Sequence, residues 1–285
     1  MQARVEALEC APYFARLGAR VAAIGSGAAE VAAAFLPSHS NTLGAVHGGV
    51  SASLALWSAA LASWSSQYDP RSDLAGRVLS VHINYLAAAR AEGLSARARV
   101  LARGRETVHA AVDVFAGEER TVATATVIYR IAKKTAQVAP DFVTSRTRWQ
   151  PAAAAGEQPG PPLSLLSPYS NAAGLELLSA DRDGAVMRVP LAGNEGPDGS
   201  IDAGALLGCI DTCAALSCTP FLKHVPARSS TLSMSVVLGV MPQSQVMLTG
   251  CLRGRDEEAF TAGVETLPDP SGRCFADASV LYRLA

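Results

Sequence analysis

The feature that most constrains the fold is an internal duplication. The segment TVATATVIYRIA, Thr121–Ala132, and the closing segment RCFADASVLYRLA, Arg273–Ala285, share the ending apolar-Tyr-Arg-apolar-Ala. Upstream of each segment, an Arg-Gly-Arg turn at 103–105 or 253–255 separates two alternating apolar runs, a pattern typical of a β-hairpin. The sequence therefore predicts two copies of one structural unit.

Each copy also contains one long helix made of small, uncharged residues. The sequence predicts these helices at Gly48–Ser66 and Ala203–Cys218, the second stopped by Pro220. The pattern places two short strands before each helix (21–35 and 175–190) and an extended strand after it (79–89 and 231–241). The predicted order is strand, strand, helix, then three or four strands, twice. Because a helix that is apolar on all faces must be enclosed, the antiparallel sheet is expected to curl around it.

This arrangement predicts an α+β protein of the hot-dog type, with two units in tandem. A chain of 285 residues is long enough for two such domains. We predict domains at 1–134 and 163–285, with a linker at 135–162 that is rich in alanine, glycine and proline. The two sheets are expected to join edge to edge, so that one chain supplies both halves of what is elsewhere a homodimer.

Composition excludes several classes of partner. Lys+Arg 24 against Asp+Glu 25 gives no field that would attract nucleic acid or an anionic membrane. The stretch 44–66 has no charged residue, but its serines and His47 favour a buried helix over a membrane span. Charged residues at Arg4, Glu6 and Glu9 argue against a signal peptide. Six cysteines without a CxxC pair predict reduced thiols, no disulfide scaffold and no metal site, consistent with a cytoplasmic protein.

A motif stands at the start of the first predicted helix. The sequence reads Asn41-Thr-Leu-Gly-Ala-Val-His47-Gly48-Gly49, which resembles the Asn-x5-His-Gly-Gly-x6-acid motif of hot-dog thioesterases of the phenylacetyl-CoA type. The resemblance implies a site at a subunit interface, with the Asn/His-Gly-Gly segment from one subunit and the acid from the other.

The two repeats depart from this motif in complementary ways. In the family the acid lies nine residues after the histidine, where the first repeat has Leu56. The second repeat has Asp211 at the acid position but Asp202 at the histidine position, where we predict a helix N-cap. Carried over by position, one composite site would combine His47 with Asp211, while the other would pair Asp202 with Leu56 and be inactive.

The residues of the composite site suit thioester hydrolysis. Free amides of Gly48 and Gly49 at a helix N-terminus could polarise the thioester carbonyl. Asp211 could act as a general base toward water or attack the carbonyl directly, and the sequence leaves both routes open. Asn41 could orient the water or the aspartate, and His47 could fix the loop or donate to the thioester.

Three residues on the following strands are candidates for substrate binding. In related enzymes a Ser or Thr on the strand after the helix supports the site, and the matching positions are Ser80 and Thr231. His82 could line the same pocket. Tyr129 and Tyr282 are interpreted as recurring only because the strand recurs.

The resemblance implies an acyl-CoA thioesterase that needs no cofactor beyond the CoA of its substrate. Two alternatives stay open: a non-catalytic acyl-binding hot-dog protein, and a hot-dog dehydratase or hydratase. CoA and carrier-protein thioesters are not distinguished by the sequence, and further assembly into a homodimer of double hot-dog units is an additional expectation.

Overall fold

The computed structural model describes residues 1–67, 74–117, 119–133, 166–219, 229–255, 257–267 and 274–284. The predicted linker, 135–162, lies outside the described residues. The first repeat contains helices α1 (Gln2–Glu9), α2 (Pro12–Arg16) and α3 (Gly48–Ser65), a 3-10 turn (Pro37–His39), and strands β1 (Ala19–Gly25), β2 (Ala28–Ala33), β3 (Leu74–Tyr85), β4 (Leu94–Arg103), β5 (Thr107–Ala116) and β6 (Arg120–Lys133). The second repeat contains helices α4 (Pro168–Ala172) and α5 (Ala203–Cys218), and strands β7 (Glu176–Asp181), β8 (Gly184–Val189), β9 (Ser229–Leu238), β10 (Val246–Arg255), β11 (Ala259–Thr266) and β12 (Ala276–Leu284).

The strands form one continuous sheet in the order β1-β2-β4-β5-β6-β3-β9-β12-β11-β10-β8-β7. Read from either end, the order gives the same sequence of equivalent strands, as expected for a pseudo-twofold axis between β3 and β9. Among the described residues, each repeat therefore contributes six strands. Four of them follow the long helix, which agrees with the predicted three or four. The predicted α+β architecture and the edge-to-edge union of two sheets are confirmed.

The union depends on one antiparallel strand pair. Val81 pairs with Val236 and Ile83 with Met234, and these four side chains are at most 1% exposed. The intervening residues of both strands face the opposite side of the sheet, because side chains alternate along a strand. The seam is therefore part of a shared core rather than a solvent-filled contact between domains.

Two central helices fill the curved sheet. Helix α3 packs on β2, β4 and β5, and α5 packs on β8, β10 and β11. The two helices also contact each other where small residues allow it: a Cβ on Gly49 would lie 2.6 Å from Gly208 Cα, and a Cβ on Gly204 would lie 2.8 Å from Ser53 Cα. Among the described residues, neither these helices nor any other combines the length and the apolar character that crossing a bilayer requires.

Short helices that the sequence analysis missed lead into each repeat and attach crosswise. Helix α2 begins Pro12-Tyr13 and α4 begins Pro168-Tyr169. The Tyr13 amide donates to the Glu195 carbonyl of the second repeat, and the Tyr169 amide donates to the Ser40 carbonyl of the first. Each repeat thus supplies a helix to the loop that precedes the other repeat's central helix. This exchange places α4 beside the Asn41–Gly49 motif.

Candidate active site

His47 is the N-cap of α3, and both nitrogens of its imidazole have polar neighbours. Its Nδ1 accepts a hydrogen bond from the Gly49 amide at 3.0 Å. Because Nδ1 is the acceptor, the proton of the neutral ring is on Nε2, which lies 3.3 Å from Thr212 Oγ1. Thr212 donates in turn to the Gly208 carbonyl at 3.1 Å. Burial lowers the pKa of His47, and the nearby charge of Asp211 opposes that shift only in part. The structure therefore favours a neutral His47 with an oriented Nε2–H.

Asp211 lies on α5, three residues past the close contact of Gly208 with α3, and two hydroxyl groups hold one of its oxygens. Thr231 on β9 donates to Asp211 Oδ1 at 2.8 Å. The hydroxyl of Tyr282 on β12 lies 3.0 Å from the same oxygen and 2.6 Å from the Asp211 backbone carbonyl. The side chain is buried, so its orientation is set by these two contacts.

The second carboxylate oxygen faces the first repeat. Asp211 Oδ2 lies 3.8 Å from His47 Nε2, and a Cβ added to Gly48 would be 3.1 Å from it. Among the described residues, the Gly48 amide has no hydrogen-bond acceptor. The structure thus brings a carboxylate oxygen of one repeat next to a free helix-terminal amide and an imidazole N–H of the other.

These groups line a cavity of about 460 Å³ between the repeats. One wall carries hydroxyl groups from α4 and α5: Ser170 Oγ lies 3.1 Å from Thr212 Oγ1 and 2.9 Å from Ser167 Oγ. Tyr85 closes another side, and its hydroxyl donates to the Gly48 carbonyl at 3.3 Å. The remaining lining is mostly apolar, including Val46, Val122, Ala215, Leu216 and Leu232. A cavity with apolar walls and convergent polar groups is typical of a small-molecule site.

One expectation about the glycines is wrong. Both amides were expected to be free, but the Gly49 amide is used by His47 Nδ1, so only Gly48 offers a free N–H. Gly49 instead serves packing: beyond the Gly208 backbone, a Cβ there would lie 2.8 Å from the Tyr169 hydroxyl. The Tyr169 ring stacks on His47, with centroids 4.3 Å apart. The absence of a side chain at Gly49 therefore lets α5 approach α3 and lets Tyr169 stack on His47.

A chain of hydroxyl groups connects this packing across the pseudo-twofold axis. Tyr169 OH lies 2.7 Å from Tyr13 OH, which lies 2.7 Å from Ser53 Oγ. Ser53 donates to the Gly49 carbonyl at 2.7 Å, so the Tyr13 hydroxyl donates to Ser53 and the Tyr169 hydroxyl to Tyr13. Burial raises the pKa of both tyrosines, so both hydroxyls stay protonated. The signal that could have revealed these residues is the repeated Pro-Tyr pair at 12–13 and 168–169.

Asn41 shapes the loop before His47 rather than contacting Asp211. Its Oδ1 accepts from the amides of Leu43 and Ala45 at 2.9 and 3.0 Å. Its side chain also lines the cavity. The expectation that Asn41 orients the aspartate directly is therefore wrong in this structure, while a contact with bound substrate or water is compatible with its position.

Of the three residues expected on the strands, only Thr231 lines the cavity. His82 is exposed on the outer face of the seam, bonded to Ser235 and Asn84, and is not a pocket residue. Ser80 alternates with the buried Val81 and so lies on the same outer face. The predicted match between Ser80 and Thr231 is also wrong, because the strand pairing makes Val78, not Ser80, the residue equivalent to Thr231.

The recurring tyrosines reveal the correct match. Tyr282 pairs with Thr231 and its counterpart Tyr129 pairs with Val78, each beside the same register shift, so Val78 is the residue equivalent to Thr231. Val78 has no hydroxyl, and the Tyr129 hydroxyl accepts from Trp64 Nε1 at 3.2 Å. Tyr282 is thus a site residue that the sequence analysis assigned to strand repetition alone.

At the equivalent position in the other half of the pseudo-dimer, Asp202 and Trp57 replace His47 and Thr212. Asp202 is the N-cap of α5, as predicted, with Oδ1 accepting from the Gly204 amide at 2.7 Å. Its Oδ2 accepts from Trp57 Nε1 at 3.0 Å. Trp57 takes the place of Thr212, and Phe14 of α2 packs against it with ring centroids 4.6 Å apart. Burial raises the pKa of Asp202, and the Trp57 hydrogen bond opposes the shift.

Among the described residues, no group of His, Cys, Asp and Glu side chains could hold a metal ion. Among the cysteines, Cys10 is exposed and Cys251 is partly exposed, whereas the other four are buried.

The twelve-stranded sheet around two central helices defines this chain as a tandem double hot-dog protein. Residues 36–130, which include the Asn41–Gly49 motif, match the family model of the acyl-CoA thioesterase N-terminal domain. The match lies within the first repeat and covers about a third of the chain. No curated protein sequence matches the chain significantly.

Solved structures with this fold span nearly the whole chain. A hot-dog protein of unknown function from Alicyclobacillus acidocaldarius is similar with a TM-score of 0.65 and 16% identity, covering 93% of this chain and 95% of that one. The tesB protein from Mycobacterium avium subspecies paratuberculosis has a TM-score of 0.63 and 11% identity, with 96% and 98% covered. An acyl-CoA thioesterase II from Mycobacterium marinum has a TM-score of 0.62 and 13% identity, with 96% and 98% covered. At these identities, the similarity establishes the fold of both repeats.

Proposed function

We propose that this protein hydrolyses acyl-CoA thioesters at one composite site between its repeats, and that the second pseudo-site is inactive. The observation that supports this proposal best is the approach of Asp211 Oδ2 to the Gly48 amide and His47 Nε2. A carboxylate, a free amide donor and a neutral imidazole donor then face one cavity. The thioesterase family match of the first repeat fits the same reaction.

In the proposed mechanism, the substrate carbonyl lies at the N-terminus of α3. The Gly48 amide and the His47 Nε2–H stabilise negative charge that develops on the carbonyl oxygen. Desolvation in the cavity strengthens both interactions. Because Nδ1 accepts from the Gly49 amide and Nε2 carries the proton, His47 acts here as a hydrogen-bond donor and not as a proton acceptor.

Asp211 supplies the base. Thr231 and Tyr282 hold Oδ1, so Oδ2 is the oxygen available to a water molecule in the cavity. Oδ2 accepts a water proton while the water oxygen bonds to the carbonyl carbon, giving a tetrahedral intermediate. When the carbon–sulfur bond breaks, the CoA thiolate leaves and takes up the proton from Asp211. In the alternative route, which uses the same geometry, Oδ2 bonds directly to the carbonyl carbon, the carbon–sulfur bond breaks and CoA leaves as the thiolate. Water then opens the resulting anhydride, which regenerates the Asp211 carboxylate and releases the acid, and a proton of that water neutralises the thiolate.

The second pseudo-site lacks the groups for this chemistry. Asp202 replaces the imidazole, Leu56 stands at the acid position, and Trp57 and Phe14 occupy the space where a thioester would bind. We therefore propose one catalytic site per chain.

The test is hydrolysis of a panel of acyl-CoA thioesters by the purified protein, followed through release of free thiol. We expect Asp211→Asn to reduce kcat by about 10³-fold or more, since the base is lost, and to keep substrate binding. Asp202→Ser is the matched control, because serine keeps the N-cap of α5, and it should retain most of the rate. No hydrolysis across the panel, with acyl-CoA still bound, would instead support the acyl-binding alternative.

A further inference from the structure

The rim of the cavity is cationic. Two arginines line it, Arg90 after β3 and Arg283 on β12, and both are exposed. Among the described lining residues the only carboxylate is that of Asp211, which is buried and held by hydroxyl groups. The whole chain has a net charge of -1, so this local excess of positive charge is a property of the cavity mouth and not of the protein surface in general.

The loop that carries Arg90 is held at several points. The Leu86 amide donates to the Val122 carbonyl at 2.8 Å, and the Ala89 carbonyl accepts from the Val46 amide at 2.8 Å. Ala91 adopts a left-handed conformation with φ 51°, which costs a non-glycine residue about 1 kcal/mol or more. The loop therefore holds the backbone of Arg90 in one place on the rim, at a cost in local strain.

The neighbouring acid does not neutralise Arg90. Glu92 is paired with Arg120, whose guanidinium also donates to the Ala88 carbonyl. Among the described residues, neither Arg90 nor Arg283 forms an ion pair. Arg283 directly follows Tyr282, the residue that holds Asp211, and belongs to the second repeat. Arg90 belongs to the first repeat, so each repeat supplies one of the two arginines.

We propose that Arg90 and Arg283 bind the phosphate groups in the nucleotide part of CoA, when the acyl group is carried by CoA itself and not by a carrier protein. This inference rests on the proposed function, and it names the thiol carrier that the site selects. Guanidinium groups bind phosphate oxygens through paired N–H donors, and CoA carries a diphosphate and a 3′-phosphate, one anionic group for each arginine. The exposed side chains of Leu86 and Leu232 on the same rim offer apolar contact to the rest of the carrier.

The experiment compares thioesters of one acyl group on three carriers: CoA, dephospho-CoA and pantetheine. Wild-type kcat/KM is expected to fall in that order, by about 5-fold for each phosphate–arginine interaction that the carrier cannot make. In the double variant Arg90→Gln/Arg283→Gln, the ratio of CoA to pantetheine should fall to near 1. The matched control Arg20→Gln/Arg99→Gln removes two exposed arginines away from the cavity and should keep the wild-type ratio. High salt should lower the wild-type ratio, because it screens exposed charges.

A CoA-to-pantetheine ratio that is the same in wild type and in the Arg90/Arg283 variant would overturn the inference. So would a preference for an acyl carrier protein over CoA that depends on the same arginines. If the wild-type protein hydrolyses none of these thioesters, the proposed function fails, and calorimetric titration with CoA alone decides the subsite. Binding that weakens in the Arg90/Arg283 variant and not in the control supports it; equal binding to all three proteins, or none, overturns it.

Discussion

The filled pseudo-site offers a sharp test of the difference between the two halves. Trp57→Phe removes the indole N–H that donates to Asp202 Oδ2 at 3.0 Å and leaves the Gly204 amide as a donor to that carboxylate. Asp202 is only 8% exposed, so water cannot freely replace the missing donor. A hydrogen bond to a charged group contributes about 1.5–3 kcal/mol to stability, and the smaller ring adds a packing penalty of about 1 kcal/mol.

The expected loss of stability is therefore about 2–4 kcal/mol, which lowers the Tm by about 2–4 °C per kcal/mol for a protein of this size. A double-mutant cycle with Asp202→Ser isolates the interaction, since serine keeps the N-cap and removes the carboxylate. The coupling free energy between Trp57 and Asp202, measured by denaturant unfolding, should be about 1.5–3 kcal/mol. The rate of thioester hydrolysis should change less than about 3-fold in all three variants, because none of these groups faces the cavity.

Asp211→Asn should show the opposite behaviour, with a large loss of rate and a smaller loss of stability. Two results would refute the reasoning. A coupling free energy under about 0.5 kcal/mol would mean that the indole and the carboxylate do not interact as the structure indicates. A loss of rate in Trp57→Phe as large as that in Asp211→Asn, with the fold intact, would mean that the second pseudo-site takes part in catalysis.

Three further predictions concern the composite site and the packing around it. Because burial lowers the pKa of His47 below its unfolded value of 6.5, its contribution to stability is present above pH 6.5 and is lost as the pH falls below it; His47→Asn, which keeps an N-cap, should show a smaller loss of Tm between pH 8 and pH 5. Gly208→Ala would place a Cβ in direct overlap with the Tyr169 hydroxyl, so it should destabilise the protein by about 3 kcal/mol or more, whereas Gly25→Ala, with open space around it, should change the unfolding free energy by less than about 1 kcal/mol. Thr231→Val removes one donor to Asp211 Oδ1 and should lower kcat by about 10-fold or more with a smaller effect on KM; an unchanged kcat would exclude a role for that hydrogen bond.

The sequence predicted the parts of the fold that depend on periodic patterns. Alternating strands, the Arg-Gly-Arg turns and uncharged helices are local features, and the helix at 203–218 was predicted to the residue. The five-residue helices α2 and α4 were missed because they are too short to show helical periodicity. Their crosswise attachment depends on contacts between repeats, which no local pattern encodes.

The site was predictable to the extent that it lies on long helices. His47 and Asp211 were identified through the resemblance to the thioesterase motif, and the regular geometry of α3 and α5 keeps the spacing of that motif the same in both repeats. Ser80 and His82 were misplaced because a register shift in β3 changes which residue faces inward, and one residue is enough to reverse the face of a strand. The hydrogen bond from the Gly49 amide to His47 Nδ1 could not be predicted from the sequence either, because it depends on the rotamer of the His47 side chain.

The position of each residue relative to the pseudo-twofold axis explains which features the two repeats share. Tyr13 and Tyr169 meet at the axis, where their hydroxyls bond to each other, so one contact needs both copies. The sites lie away from the axis, where each copy of a residue belongs to a different cavity. A substitution such as Leu56 or Trp57 there alters one cavity and leaves the other with Asp211 and Thr212. A fused chain can therefore fill one pocket with a buried, stabilising cluster and keep the other open, an option that is closed to a homodimer, in which every substitution occurs at both sites.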